Sequence, residues 1–133
     1  MHVLITGAGG HLGRKLFDAL EQESDNTVSG IDICPVDHPH IHMADLSGNP
    51  SWIALLKDVD VIVHLASVAI PKLYMKEPDF VIRPNVIGTN EVCRLAEKYK
   101  SRVIFASTSE VYGSTIDNST VGTSLSENSV SHS

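Results

Sequence analysis

The chain has 133 residues, enough for one domain with its own core, and its 42% hydrophobic and 20% charged residues are ordinary globular composition. Its formal net charge of -6, without any dense Lys/Arg cluster, argues against a nucleic-acid-binding surface. No apolar stretch approaches the length of about 18 residues that a membrane helix needs, and a strand pattern occupies the N-terminus where a signal peptide would lie, so we expect a soluble, cytoplasmic protein without membrane contact.

The first predicted elements are a strand and a helix joined by a glycine-rich turn. The apolar residues 3–5 precede the segment T-G-A-G-G-H-L-G at residues 6–13, and apolar residues then recur at helical spacing. A strand that delivers its carboxyl end to a helix N-terminus presents unpaired N–H groups and the positive end of the helix dipole to an anion. Glycines let a phosphate approach the backbone. This arrangement predicts a dinucleotide-phosphate site.

The spacing of the glycines narrows the class of site. The pattern G-x-G-x-x-G fails here, because counting from Gly7 and Gly9 places Leu12 third, whereas G-x-x-G-x-x-G fits. That spacing resembles the short-chain dehydrogenase/reductase superfamily, and the whole turn resembles its extended, sugar-nucleotide-modifying branch. The cofactor contacts expected in this turn, with His11 contributing only its backbone, are Gly7, Gly10, His11, Leu12 and Gly13.

A second strand is predicted over residues 28–31, and it ends in Asp32. A carboxylate at this place accepts hydrogen bonds from the adenosine ribose hydroxyls and repels a 2′-phosphate. Asp32 follows Gly13 by 19 residues, close to the separation that such a ribose ligand requires. Ile33 and Cys34 supply no cation for a 2′-phosphate, so the sequence predicts NAD rather than NADP, with Asp32 and Ile33 at the ribose.

Three histidines, His38, His40 and His42, alternate before the third predicted strand. Imidazoles are common metal ligands, but no fourth ligand of suitable spacing follows them. Cys34 and Cys93 likewise share no metal or redox spacing. We therefore predict a loop or strand edge at the histidines and no metal site.

Asp45 and Leu46 follow the third strand, which is predicted over residues 41–44. A short helix then opens with an Asn cap and a Pro in its first turn, at residues 49 and 50. The pair Asp45-Leu46 matches the adenine contact of the superfamily, where the carboxylate binds the exocyclic amine and the next backbone N–H binds the ring. The alternative is that Asp45 is a helix cap.

The fourth strand is predicted over residues 59–65, which are apolar on both faces, as a central parallel strand covered by helices requires. Residues 64–67 end this strand beside the switch point of the sheet. The resemblance implies that Leu65, Ala66 and Ser67 line the cofactor. The alternative is ordinary packing at a strand end.

A further helix is predicted from Asn85 to about residue 100, because apolar residues recur there at steps of three and four. Pro84 should kink or start it, and the three prolines of residues 66–84 limit any helix before it. The segment N-V-I-G-T at residues 85–89 resembles the family's N-V-x-G-T, in which the Asn orders the loop after strand 4 and water near the cofactor. Asn85 is alternatively a helix N-cap, and both roles are compatible.

A fifth strand at residues 103–106 completes an alternation of strands and helices with short connections. This alternation predicts an α/β fold of the Rossmann type, a doubly wound parallel sheet in the order 3-2-1-4-5. We assign residues 1–113 to an NAD-binding domain. Residues 114–133 are rich in Ser, Thr and Asn and are predicted to be a loop or disordered tail.

The stretch F-A-S-T-S-E-V-Y-G at residues 105–113 resembles the signature of extended-family epimerases, dehydratases and decarboxylases that act on nucleotide sugars. The resemblance implies that the hydroxyl of Thr108 binds the sugar hydroxyl being oxidised at C4. It also places Ser107 at the cofactor and makes Glu110 an acid that aids later steps. The order Thr108-Ser109-Glu110 is most similar to UDP-glucuronate decarboxylases.

The catalytic Tyr-x-x-x-Lys pair of that family has no counterpart in this sequence, because Tyr74, Tyr99 and Tyr112 are not followed by Lys at the fourth residue. Residues 126–128, S-E-N, resemble the piece just before that pair's helix. We therefore expect the chain to correspond to the N-terminal half of the family, truncated before the substrate domain.

The resemblance implies transient oxidation of a nucleotide-sugar hydroxyl by bound NAD, followed by epimerisation, dehydration or decarboxylation. Without the Tyr-x-x-x-Lys pair, the isolated chain is expected to bind NAD without turnover. One alternative is a uronate-type NAD-dependent dehydrogenase, whose connection between strands 2 and 3 is similarly compact. Another is a non-catalytic dinucleotide-sensing module, which has no need of the Thr108 hydroxyl.

The expected partners are a nucleotide-sugar substrate, in a full-length form, and a second copy of the chain. Strand 5 would leave an open apolar edge, and the helix of residues 85–100 would be half-covered. We therefore predict a homodimer or higher self-association through one of these two surfaces.

Overall fold

The computed structural model describes residues 1–48 and 50–113, apart from the side chains of Pro50 and Glu110, so the tail predicted over residues 114–133 lies outside the described residues. The strands are β1 (His2–Thr6), β2 (Thr27–Asp32), β3 (Ile41–Met43), β4 (Val61–His64) and β5 (Arg102–Phe105). The α-helices are α1 (His11–Glu21), α2 (Pro71–Lys76), α3 (Pro78–Ile82) and α4 (Thr89–Tyr99). Pro50–Leu56 and Ser109–Tyr112 are 3-10 helices. None of the described helices is both long and apolar enough to cross a bilayer.

The strands form one sheet in the order β3-β2-β1-β4-β5, and every pairing in it is parallel. The predicted α/β fold and its strand order are therefore confirmed. β1 lies at the centre, where Val3 pairs with Val28 on one side and with Val61 on the other. Because all five strands run in the same direction, their carboxyl ends lie side by side at one end of the sheet.

The sheet separates two apolar clusters, because successive side chains of a strand point to opposite faces. Val3 and Ile5 belong to one cluster, which α1 covers with the fully buried Phe17. The buried members of the other cluster come from the sheet, the first 3-10 helix, α4 and two connections. They are Leu4, Ile31, Leu46, Trp52, Leu56, Val59, Ile62, Val92, Leu95 and Ala96. Full burial of a Val, Leu, Ile or Phe side chain stabilises a fold by roughly 1.5–3 kcal/mol, so these clusters stabilise the sheet from both faces.

The segment before α4 differs from the sequence prediction, which found no defined element in residues 66–84. α2 and α3 lie there, and each begins with a proline, whose fixed φ and missing N–H suit the first position of a helix. The last predicted helix is regular only from Thr89, because Arg83–Gly88 form a π-helical turn that contains Pro84. A proline ring clashes with the carbonyl of the preceding α-helical turn, and the wider π-helical turn accommodates it.

β5 forms an edge of the sheet that is partly exposed. The side chains of Ile104 and Phe105 are 53% and 55% exposed, whereas Val103 packs against the second cluster. The N–H of Ala106 donates to the carbonyl of His64 at 3.3 Å and so prolongs the contact with β4. In the part of the chain that the structure describes, the sheet thus ends in an apolar edge.

Candidate cofactor-binding site

The turn between β1 and α1 requires glycine at two positions for different reasons. Gly7 has a φ of 73°, in the left-handed region, and a Cβ on it would lie 2.8 Å from the backbone nitrogen of Ala66. A Cβ on Gly13 would lie 2.0 Å from the carbonyl oxygen of Gly7. Gly10 has an extended backbone, and its Cβ would meet that oxygen at 3.2 Å. The outer glycines therefore permit two close approaches, that of the turn to the backbone of Ala66 at Gly7 and that of α1 to the turn at Gly13.

The N-terminus of α1 offers unpaired amides at this turn. Arg14 donates the first intrahelical bond, to the carbonyl of Gly10 at 2.8 Å, so the amides of His11, Leu12 and Gly13 precede the bonded part of the helix. Gly10 is the N-cap and supplies no side-chain bond. The positive end of the helix dipole and these N–H groups together make a site that suits a pyrophosphate.

Asp32 lies at the end of β2 and is already held in place by two backbone amides. Its Oδ2 accepts the N–H of Gly9 at 2.8 Å, and its Oδ1 accepts the N–H of Cys34 at 3.0 Å. Each carboxylate oxygen has a second acceptor position, so the group can still accept two hydroxyls of a ribose. The side chain of Ile33 beside it is 63% exposed. The structure thus presents an oriented carboxylate next to the glycine turn.

A cleft of about 520 Å³ opens at the carboxyl ends of the central strands. The predicted site residues that line it are Gly7, Gly10, Asp32, Ile33, Asp45, Leu46, Leu65, Ala66 and Ser67. The predicted site residues that do not line it are His11, Leu12, Gly13, Asn85 and Ser107, together with Thr108. The cleft therefore brings together residues from the turn and from the ends of β2, β3 and β4.

Eleven residues that the sequence analysis did not assign to the site also line the cleft, among them Val36, Phe80, Arg83 and Pro84. Arg83 is the one basic side chain among the described lining residues. It was missed because the prolines of residues 66–84 interrupt any periodic pattern, although its place just before the N-V-I-G-T segment was a usable signal. Val36 packs closely against Gly9: a Cβ on Gly9 would lie 2.6 Å from Cγ2 of Val36.

Asp45 forms a tight turn beside the cleft. Its Oδ1 accepts both the N–H and the hydroxyl of Ser47, each at 2.8 Å. These bonds join Asp45 to the residue two positions later and so close a local turn. The turn precedes the 3-10 helix that begins at Pro50. Leu46 is buried beneath it, and a Cβ on Gly88 would lie 3.3 Å from the Cβ of Leu46. The end of β3 is thereby fixed against the helical segment that precedes α4.

Asn85 bonds to the loop after β4 with both ends of its amide. Its Oδ1 accepts the N–H of Val68 at 2.7 Å, and its Nδ2 donates to the carbonyl of Val68 at 3.0 Å. Neither the π-helical turn nor α4 has a side-chain bond at its N-cap. The side chain thus orders the loop that continues from the cleft-lining residues Leu65, Ala66 and Ser67.

His64 is almost fully buried at the end of β4, and both of its ring nitrogens contact hydroxyl groups. Nδ1 lies 2.6 Å from Oγ1 of Thr6, and Nε2 lies 2.9 Å from Oγ1 of Thr89. Burial lowers the pKa of His64, because desolvation disfavours the charged ring. The sequence analysis quoted this histidine only as part of a strand end, since nothing in the local pattern indicates its partners.

Ser107 and Thr108 lie in the exposed connection after β5. Because β5 pairs in parallel with β4, this connection begins at the carboxyl ends of the strands, on the same side of the sheet as the cleft. The carbonyl of Thr108 accepts the N–H of Val111 at 3.4 Å, within the turn that leads into Ser109–Tyr112. The side chain of Glu110 lies outside the described residues.

Residues 3–130 match the model of the family described as the NAD dependent epimerase/dehydratase family. The chain is similar to MoeE5, solved in complex with UDP-glucose and NAD, with 27% identity, a TM-score of 0.76 and coverage of 87% of this chain and 39% of that one. A UDP-galactose 4-epimerase has 31% identity and a TM-score of 0.74 over 89% of this chain and 42% of its own. A uronate dehydrogenase from Agrobacterium tumefaciens has 26% identity and a TM-score of 0.69 over 84% and 42%. The chain thus spans about two-fifths of the length of these structures.

Proposed function

The chain belongs to the NAD dependent epimerase/dehydratase family, and from this membership we propose that it is the NAD-binding part of an enzyme that transiently oxidises a nucleotide-sugar hydroxyl. The cofactor of the family is NAD, as the sequence predicted from Asp32. The observation that carries the proposal is the oriented Asp32 carboxylate beside the glycine turn and the unpaired amides of α1. We propose residues 1–113 as the NAD-binding domain.

The cleft residues, together with the amides at the start of α1 that directly follow the cleft-lining Gly10, form groups that suit the parts of NAD. The amides at the start of α1 suit the pyrophosphate, and Asp32 suits the adenosine ribose. Asp45 and Leu46 are proposed for the adenine, while Leu65, Ala66 and Ser67 are proposed for the nicotinamide half. Bound NAD supplies a hydride acceptor. Asn85 acts on this site through Val68, whose backbone it holds.

We propose Thr108 as the group that orients the sugar hydroxyl, with Ser107 beside the cofactor and Glu110 as an acid for a later step. A threonine hydroxyl cannot remove the substrate proton, because its pKa lies far above neutrality. A positioned general base contributes about 10²–10⁴-fold, and it must lie within hydrogen-bond reach of the proton. The chain contains no Tyr-x-x-x-Lys motif to provide one.

The isolated chain is therefore expected to bind NAD and to show no epimerase, decarboxylase or dehydrogenase turnover. Calorimetry measures the NAD affinity, and incubation with NAD and a panel of UDP-sugars, followed by product analysis and absorbance of NADH, measures turnover. A chain that does not bind NAD would contradict the proposal. Robust product formation would mean that another group is the base, and the role of the missing motif would be abandoned.

A uronate-type dehydrogenase is the second candidate function. It is favoured by the similarity to the Agrobacterium tumefaciens enzyme and by the short connection between β2 and β3, which runs only from Asp32 to Ile41. Net release of NADH with a free uronate would distinguish it from a redox-neutral reaction on a nucleotide sugar.

A dinucleotide sensor would bind NAD and act on neither substrate, even when joined to a substrate domain. A cytoplasmic location remains a prediction from the sequence.

Self-association is the expected behaviour of the chain in solution. Ile104 and Phe105 expose an apolar sheet edge, and Val86 and Ile87 are 60% and 48% exposed before α4. We expect light scattering to give a dimer or larger species, and Ile104→Glu or Val86→Glu to shift it to monomer, according to which surface associates. Met43→Glu, on the opposite edge strand, is the control. A monodisperse monomer at high concentration would contradict this prediction.

A further inference from the structure

The buried His64 connects three elements beneath the cofactor cleft. Its ring nitrogens bond to Thr6 at the end of β1 and to Thr89 at the start of α4, and its ring lies 5.7 Å from that of Phe105 on β5, centroid to centroid. The residue is only 1% exposed. A polar side chain with this little solvent contact is costly to bury unless every polar atom is paired. In His64 both ring nitrogens are paired.

Hydrogen-bond balance determines which ring nitrogen carries the proton. Oγ1 of Thr6 accepts the N–H of Ala66 at 3.3 Å, and Thr6 is fully buried. Within the described part of the chain, the other polar atom bonded to this hydroxyl is Nδ1 of His64. The hydroxyl hydrogen must therefore point to Nδ1, which acts as the acceptor, so the ring proton is on Nε2 and is donated to Thr89.

A second proton on the ring would disrupt this arrangement. It would occupy Nδ1 and leave the buried Thr6 hydroxyl hydrogen without its acceptor, which is an expensive loss inside a protein. Desolvation acts in the same direction by lowering the pKa of His64. The groups that face the ring from β1, α4 and β5 are Thr6, Thr89 and Phe105, and none of them carries a charge.

The Thr6 hydroxyl lies where two walls of the cleft touch. Thr6 directly precedes Gly7, and a Cβ on Gly7 would lie 2.8 Å from the nitrogen of Ala66, the same nitrogen whose N–H bonds to Thr6. The carbonyl of Thr6 also accepts the N–H of Leu65 at 3.1 Å. The Thr6 side chain therefore makes one of the bonds that join the start of the glycine turn to the end of β4.

We propose that neutral His64 is a positioning residue for the bound dinucleotide, because through Thr6 it sets the distance between the glycine turn and the Ala66 backbone. The proposal rests on the proposed binding of NAD in this cleft. It assigns the two ring nitrogens different importance: Nδ1 acts on the cofactor site through Thr6, whereas Nε2 fastens the ring to α4.

Two substitutions distinguish the contributions of the two ring nitrogens. The amide of Asn reaches the position of Nδ1, and that of the longer Gln reaches the position of Nε2. His64→Asn keeps an acceptor for Thr6 and is expected to bind NAD within a few-fold of the wild type. His64→Gln and His64→Phe lack that acceptor and are expected to bind NAD roughly tenfold more weakly. Calorimetry gives the affinities, urea denaturation of the same samples gives the stabilities, and His42→Asn, at an exposed site on β3, is the control.

A purely structural role would order the NAD affinities as it orders the stabilities, with Gln, the better filler of the space, ahead of Asn. Equal NAD binding by all His64 variants, or Gln ahead of Asn, would overturn the proposal. Failure of the wild type to bind NAD would instead contradict the proposed function.

The pH dependence of the wild type provides a second test, which needs only the His64→Asn variant for comparison. Because the native pKa of His64 is lowered, its stabilising contribution is complete above about pH 6.5, the value of an ordinary histidine, and is lost as pH falls toward the native pKa. NAD affinity depends on the ring in the folded protein, so in the wild type it is expected to fall only as pH passes down through the lowered native pKa, and in His64→Asn to stay level. Parallel pH profiles of the two proteins would overturn the proposal even if every other variant failed to fold.

Discussion

Gly13→Ala is expected to abolish NAD binding and to lower the free energy of unfolding by about 2–4 kcal/mol. The added Cβ would lie 2.0 Å from the carbonyl oxygen of Gly7, 2.8 Å from its carbonyl carbon and 3.0 Å from Cα of Ala8. All three are backbone atoms, so no side chain can rotate away. α1 would have to move off the turn and carry the buried Phe17 with it.

The expected loss of stability in Gly13→Ala is opposite to the effect of intrinsic helix propensity. Alanine in place of glycine inside a helix normally stabilises it by about 1 kcal/mol. Gly10→Ala is the matched control: its backbone is extended, with φ of -70°, and its Cβ would meet the Gly7 oxygen at 3.2 Å. Calorimetry and urea denaturation should find this control folded but weaker for NAD, since the methyl would occupy phosphate space. A Gly13→Ala protein as stable as the wild type would refute the packing argument.

Asp32→Ala is expected to weaken NAD binding by about 3 kcal/mol, roughly a hundredfold in Kd, and to bring the affinities for NAD and NADP close together. The carboxylate is the proposed acceptor of two ribose hydroxyls, and it also holds the amides of Gly9 and Cys34. Removing it loses these bonds and also removes the charge that repels a 2′-phosphate. NADP therefore loses less than NAD does.

Asp37→Ala controls for the change in net charge, because Asp37 is an exposed carboxylate in the same connection between β2 and β3 but does not line the cleft. We expect it to leave the ratio of the two affinities unchanged. Calorimetric titration of each protein with both dinucleotides is the measurement. Wild-type protein that binds NADP as tightly as NAD would show that Asp32 does not contact the ribose.

Local sequence pattern was sufficient to predict most of the strands, the first helix and the family. The apolar runs and their period placed β1, α1, β2 and β4 within a few residues of their observed bounds, because burial on both faces of a parallel sheet leaves a continuous apolar run. The family and its cofactor followed from the glycine spacing and from Asp32, since close packing and charge at a turn admit few residue types. The roles of Ser107, Thr108 and Glu110 remain predictions.

The contacts between segments far apart in the chain became evident only from the three-dimensional packing. The pairing of His64 with Thr6 spans 58 residues, and that of Asn85 with Val68 spans 17, so no local period could indicate either. The same holds for Arg83, which lines the cleft from the π-helical turn that also contains Pro84. Local pattern specifies which face of an element is buried, whereas the partner of a buried polar group is chosen by the packing of whole elements.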